Sequence, residues 1–406
     1  MLVIRRRVKL PWQRQARQDG IVLNRLGLLR MTGRDPGEGH RVASPLELLF
    51  DLVFVVAVSQ ASQNLHHGIV EGHAAETTVS YAMIFFAIWW AWMNFTWFAS
   101  AFDTDDWLYR MTTIVQMGGV LVLAAGVHDA MVDGEWAIIT IGYVIMRLAM
   151  VAQWLRLALS DPEQRAVALR FAIGISLVQV LWVARLALPV EGQFWTFWPA
   201  MLLEVLVPVW AERVHRTPWH PHHVAERYGL FTLILLGESL LGSANAIIDA
   251  ANSDERIDGL VGLAVAGIVL AAGMWWIYFS REQGARLASS RQGFAFGYAH
   301  YVVFAAAGAV SAGIEVELDL LTHAGEHLTA AVASFSLTIP VSVFMVAVWL
   351  VLIRGRISTT ASILFLLAAI AVLASATLPI VTVLGTATAV GLAVLILEVQ
   401  RVRERR

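Results

Sequence analysis

Apolar residues run along this chain in stretches of about twenty, broken by short polar or charged segments. They fall at about 46–65, 79–101, 110–131, 136–158, 167–188 and 194–213, then at about 224–249, 259–280, 297–316, 329–352, 361–376 and 379–398. A membrane-crossing helix needs roughly 20 mostly apolar residues, and lipid offers no partner for unpaired backbone groups, leaving helix or closed barrel. Stretches of this length exclude barrel strands of ~10 residues. The pattern predicts an all-α integral membrane protein of about 12 transmembrane helices. Residues 1–45 read as a basic N-terminal tail and 399–406 as a basic C-terminal one.

Composition agrees. Hydrophobic residues make up 58% and charged residues 15%, with a mean hydropathy of +0.65, against ~25% charged in a soluble chain. The net charge of -2 gives no footing for nucleic acid, and the absence of cysteine excludes disulfides and thiolate metal sites. The tail lacks the apolar core of a signal peptide and holds ten of the 29 basic residues. If the N-terminus is cytoplasmic, sixteen more lie in segments facing the same side, only Arg256 faces outside, and Arg147 and Arg185 lie within spans. Basic residues concentrate in cytoplasmic loops. A multi-pass cell (inner or plasma) membrane protein with both termini cytoplasmic is therefore expected.

The halves 46–213 and 224–398 echo each other. Glu47 with Phe50 and Phe54 matches Glu226 with Phe231, and Trp89-Trp90 matches Trp275-Trp276. Ala125-Gly126-Val127 matches Ala312-Gly313-Ile314, and Leu203-Glu204-Val205 matches Leu397-Glu398-Val399. The offsets grow from 179 to 194, as small loop insertions would cause. Six helices per unit is an even number, so the repeats would be parallel, an arrangement found in secondary transporters with a substrate site between the halves.

Charges within spans need explaining, since one at the bilayer centre costs about 2.5–3.5 kcal/mol on insertion scales. Arg147, Glu204 and Glu238 lie near the middle of spans four, six and seven. One cation and two anions suggest a pair plus a spare carboxylate able to carry a proton. Arg147 cannot shed its proton and should meet an anion, Glu204 of the same half being the expected one. Span one carries Glu47, Asp51, Val55, Ser59 and Gln63 on one face. Ser44-Pro45-Leu46-Glu47 has the form of a capping box, which would account for Glu47 and not for Asp51. Glu238, Gly242, Asn245 and Asp249 share a face of span seven. Gly118-Gly119, Gly262, Gly267 and Gly308 fit close helix packing. Asp103-Thr104-Asp105-Asp106 with Arg110 forms an acidic turn that would clamp basic loops or a cation, or merely cap the next helix with an Asp106–Arg110 pair. His215, His220, His222 and His223 crowd one loop at spacings that match no defined metal site.

No P-loop, zinc-protease helix or nucleophile elbow is present. Four segments resemble the bacterial low temperature requirement protein A family. They are Pro45-Leu-Glu-Leu-Leu-Phe-Asp-Leu-Val-Phe-Val; Phe102-Asp-Thr-Asp-Asp with Arg110 and Gln116-Met-Gly; His223-Val-Ala-Glu-Arg-Tyr-Gly-Leu-Phe-Thr-Leu-Ile-Leu-Leu-Gly-Glu-Ser; and Gly297-Tyr-Ala-His-Tyr. Leu49 stands where the family pattern has an aromatic residue. The resemblance covers roughly 41–400, implies a membrane protein, and marks Glu47, Asp51, Asp103, Asp105, Asp106, Arg110, Glu226, Arg227, Glu238 and His300 as motif positions; it supplies no substrate. A secondary transporter or proton-linked permease for a small solute is the expected function, with Glu238, Arg147, Glu204, Asp51 and Glu47 as substrate or proton sites and no cofactor or metal. A membrane scaffold for stress adaptation and an intramembrane lipid-modifying enzyme are the alternatives. The partners implied are the lipid bilayer and a small solute or ion, and assembly into a homo-oligomer is left open.

Overall fold

A computed structural model of the chain describes residues 27–35, 42–252, 257–284, 287, 290–322 and 327–405. Each apolar stretch is helical, as backbone that lipid cannot hydrogen-bond must be. The helices are α1 (Pro45–Val70), α2 (Ala74–Phe102), α3 (Trp107–Ala125), α4 (Ala137–Ser160), α5 (Arg165–Arg185) and α6 (Val190–Ala211). Then come α7 (Pro221–Asn252), α8 (Ile257–Tyr278), α9 (Ser290–Thr322), α10 (Ala330–Val348), α11 (Thr359–Ser375) and α12 (Thr382–Glu404). No strand occurs among the described residues.

Among the described residues, ten helices are long and apolar enough to cross a membrane. The other two lie at the seventh and eleventh expected spans. Of these, α7 runs 32 residues, Pro221–Asn252, and α11 has 17 residues. The third expected span is broken at Gly126, after which a short helix runs Val127–Val132. A Cβ at Gly126 would come within 2.8 Å of the Ile139 amide, so α4 crosses too closely for any side chain there.

The bundle is layered around α2 and α9, whose hydrophobic windows are 83% and 72% buried; those of α6 and α12 are 33% buried and form the rim. Large apolar side chains such as Trp195, Leu206 and Leu384 stand exposed on that rim, as a lipid-facing surface requires. Residues 27–35, part of the expected basic tail, lie against one end of the bundle. The Leu29 amide donates to Asp106 at 2.9 Å, the Gly33 amide to Asp161 at 3.2 Å and the Arg34 amide to the Ala101 carbonyl at 3.0 Å. Met31 is fully buried beneath them. Residues 27–35 of the segment read as a tail are thus docked on the bundle.

Candidate functional site

The N-terminus of α1 forms the expected capping box. The Ser44 amide donates to Glu47 Oε2 at 2.7 Å and the Glu47 amide to Ser44 Oγ at 3.3 Å, with Pro45 opening the helix. That bond aims the other carboxylate oxygen at α7, where Glu47 Oε1 lies 3.1 Å from Arg227 Nη1 and 3.2 Å from His223 Nε2. One turn along, Asp51 takes Arg227 in a two-pronged pair at 2.6 and 3.0 Å and accepts from Trp92 Nε1 at 2.7 Å. These charged side chains are at most 1% exposed. His223 and Arg227 are four apart and share a face of α7, just as Glu47 and Asp51 do on α1. Two carboxylates thus face one guanidinium, and a single proton, on His223 or on a carboxyl, balances the charge.

Farther along the same helix pair the polar stripe continues. Glu238 faces the Ser59 hydroxyl and the Glu315 carboxylate of α9. Glu315 faces Asn245 and lies 3.6 Å from His66, whose Nε2 is 2.7 Å from Asp319. Gly242 lies against this stripe, where a Cβ would reach ordinary contact with Glu315 Cγ at 3.5 Å. The structure therefore joins Glu47, Asp51 and Glu238 into one seam between α1, α7 and α9. His66, Glu315 and Asp319 belong to it and were missed as site residues. The signal for His66 was available, because it continues the α1 face that carries Ser59 and Ser62.

Arg147 and Glu204 stand apart from that seam. Arg147 Nη2 is 2.9 Å from Glu204 Oε2, the partner expected from their similar depth and shared half. Glu204 also accepts from Gln179 at 2.7 Å, Trp90 at 3.0 Å and Trp182 at 3.3 Å. The pair is fully buried inside the first half.

In the acidic turn, Asp103 accepts from the Asp105 amide, and Asp105 adopts a positive φ of 47° to hold Arg110 at 2.8 Å. Arg110 therefore pairs with Asp105, and the anticipated Asp106–Arg110 pair does not form. Asp106 instead caps α3 through the Tyr109 amide and binds Arg156. Burial pushes Asp106 upward, but Arg156 and the Tyr109 and Leu29 amides outweigh it and hold the carboxyl below its ordinary 3.8. His300 Nδ1 donates to the Phe296 carbonyl at 2.7 Å, which leaves Nε2 to accept from Tyr278 at 3.0 Å. Glu226 is half-buried, with no hydrogen-bond partner on Oε2. Of the loop histidines, His223 turns into the seam and His220 Nδ1 accepts from its amide at 3.3 Å. No group of three or more His, Asp or Glu able to hold a metal exists among the described residues.

A known relative is an uncharacterised protein of Rhizobium meliloti (strain 1021), 27% identical over 252 residues. The match covers 59% of this chain and 59% of the relative, so the chain spans under two thirds of that protein's length. Residues 42–397, which include α1, α7 and their shared seam, match the model of the bacterial low temperature requirement A protein (LtrA), and the chain belongs to that family.

Proposed function

We propose that the chain is a proton-linked secondary transporter for a small solute, with twelve membrane-crossing helices in two parallel six-helix repeats. One observation carries the reading: titratable side chains line the contacts of α1, the first helix of one half, with α7 and α9 of the other. They run from Glu47, Asp51, His223 and Arg227 at one end, past Glu238, to Glu315, His66 and Asp319. Ionisable residues inside a membrane are expensive, and they mark ion or proton paths. Arg227 cannot release a proton, whereas the carboxyls and histidines can.

The repeat is supported by two structural echoes. Trp90 Nε1 donates to Glu204 at 3.0 Å, and its counterpart Trp276 Nε1 donates to Glu398 at 2.9 Å. Gly126 abuts α4, and its counterpart Gly313 abuts α10, where a Cβ would lie 2.5 Å from the Ser336 carbonyl. The buried Glu204 carboxylate, held by Arg147, Gln179, Trp90 and Trp182, favours a structural task for that pair, and a scaffold with no flux is the reading it would support if shared by the seam.

The test is reconstitution in liposomes holding a pH-sensitive dye, with an imposed proton gradient and a panel of small solutes. Solute-dependent proton flux is expected from the wild type and a loss of at least tenfold from Glu238→Gln. Full flux from a folded Glu238→Gln protein removes the seam from the mechanism, and absence of flux for every solute supports the scaffold.

A further inference from the structure

A small cavity lies away from the seam, between α2, α4, α5 and α6 of the first half and α9 of the second. About 40 Å³ of it is open to the centres of water-sized spheres, room for about three waters and hence for a ligand of a few heavy atoms. Its wall is aromatic: Trp97, Phe98, Trp154, Phe171 and Tyr298 line it. The rings are locked by one another, Trp154 stacking on Phe171 at 4.1 Å and meeting Phe98 edge-on at 4.8 Å. Trp97 is further fixed by its Nε1 bond to Tyr228 at 3.0 Å. A Cβ at Gly293 would sit 2.9 Å from the Trp97 ring, so this glycine lets the indole lie against α9.

Amid these rings is one acidic group. Glu212, just past the end of α6, lines the cavity. Its Oε1 accepts from Thr217 at 2.5 Å, while Oε2 is buried without a hydrogen-bond partner. Asn94 also lines the cavity; its amide nitrogen is spent on the Trp90 carbonyl at 2.8 Å, which leaves its oxygen free to accept. No basic side chain borders the cavity. An aromatic wall attracts cations through the negative faces of its rings, and a buried carboxylate oxygen without a hydrogen-bond partner gains from a cation placed beside it. Burial pushes Glu212 up from its ordinary 4.5, with the Thr217 hydroxyl and amide and the Arg216 charge pulling it back.

We propose that this cavity binds a small organic cation, an alkylammonium or quaternary ammonium group, held by Glu212 and the Trp97–Tyr298 wall. The proposal goes beyond transport, since it assigns a ligand class to a site outside the seam and is tested by binding alone. The full chain, purified in detergent, is titrated with tetramethylammonium chloride, choline chloride and 3,3-dimethylbutanol, the neutral isostere of choline, against a sodium chloride blank. Binding is read by calorimetry and tryptophan fluorescence. Saturable binding of both cations is expected, with the isostere at least tenfold weaker. Glu212→Gln should weaken the cations at least tenfold while leaving the isostere unchanged, and Trp97→Leu should weaken all three. Size-exclusion profiles establish that the variants are folded, and the comparison of choline with its isostere needs no variant. No saturable cation binding by the wild type, or equal affinity for choline and the isostere, overturns the proposal. So does a folded Glu212→Gln protein that binds choline as the wild type does.

Discussion

At the scale of single residues, the membrane interior dictates that each charge find a partner, and the partners differ in what they leave over. Arg147→Met strands Glu204 without its cation, a change that typically costs about 3–5 kcal/mol for a buried pair. Gln179, Trp90 and Trp182 still donate to that carboxylate, so a loss at the lower end of that range is expected. Adding Glu204→Gln removes the stranded charge and should recover most of the thermal midpoint in detergent; a double variant less stable than Arg147→Met alone would refute the pairing as the cause. Asp106 offers a pH test. Its folded value lies below its unfolded one, so its contribution is complete above the unfolded value, near 4, and is lost as pH falls through the folded value. Proteolysis within residues 27–35 should therefore rise several-fold between about pH 5 and pH 3, and Asp106→Asn should flatten that profile. An unchanged profile in the variant would assign the effect elsewhere. The Arg147–Glu204 pair was legible in the sequence because an arginine at mid-depth must have an anion and few were at hand. The Asp51–Arg227 pair was not: Asp51 stood out as a charge without an explanation, but 176 residues separate it from its cation and nothing in the sequence pointed across that distance.

At the scale of helices, hydrophobic run length located every element, and its blind spots have physical causes. A hydropathy sum cannot see the break at Gly126, because the third apolar run continues through it while α4 forces the backbone to bend. Nor can it rank glycines. Gly119 and Gly308 are pressed against neighbouring helices, whereas Gly118 and Gly262 face open space. The α3–α4 crossing is the tightest test of that distinction. A Cβ at Gly142 would fall 2.3 Å from the Leu123 amide nitrogen and 2.6 Å from the Gly119 carbonyl, both backbone atoms that no rotamer change can move. Gly142→Ala should destabilise by about 1–3 kcal/mol through overpacking. Gly262→Ala, with nothing within 4 Å, should be neutral or stabilise by up to about 1 kcal/mol through helix propensity. Equal midpoints for the two alanine variants would show that α3 and α4 separate without cost.

At the scale of the whole molecule, residues 27–35 and the end of α12 meet one face of the bundle, and the contacts that establish this do not depend on counting helices. The strap of residues 27–35 touches the end of α2 through Ala101 and the loop before α7 through Pro218. That loop leads into His222, which packs against Gly284 after α8. Nearby, Arg281 pairs with Glu404 at the end of α12 at 2.5 Å. The basic residues gather on this same face, including Arg30, Arg34, Arg156, Arg281 and Arg401. Basic loops stay on the cytoplasmic side during insertion, so this face is expected to be cytoplasmic. Epitope tags placed ahead of Gly27 and after Arg406 should both resist an external protease in intact cells and yield to it after permeabilisation. A tag inserted near Glu255, between α7 and α8, should be cleaved from outside. The tag ahead of Gly27 leaves the strap intact, so the topology is read without disturbing its docking. Protection of one terminal tag with cleavage of the other would mean an odd number of crossings and would end both the twelve-helix count and the parallel repeat.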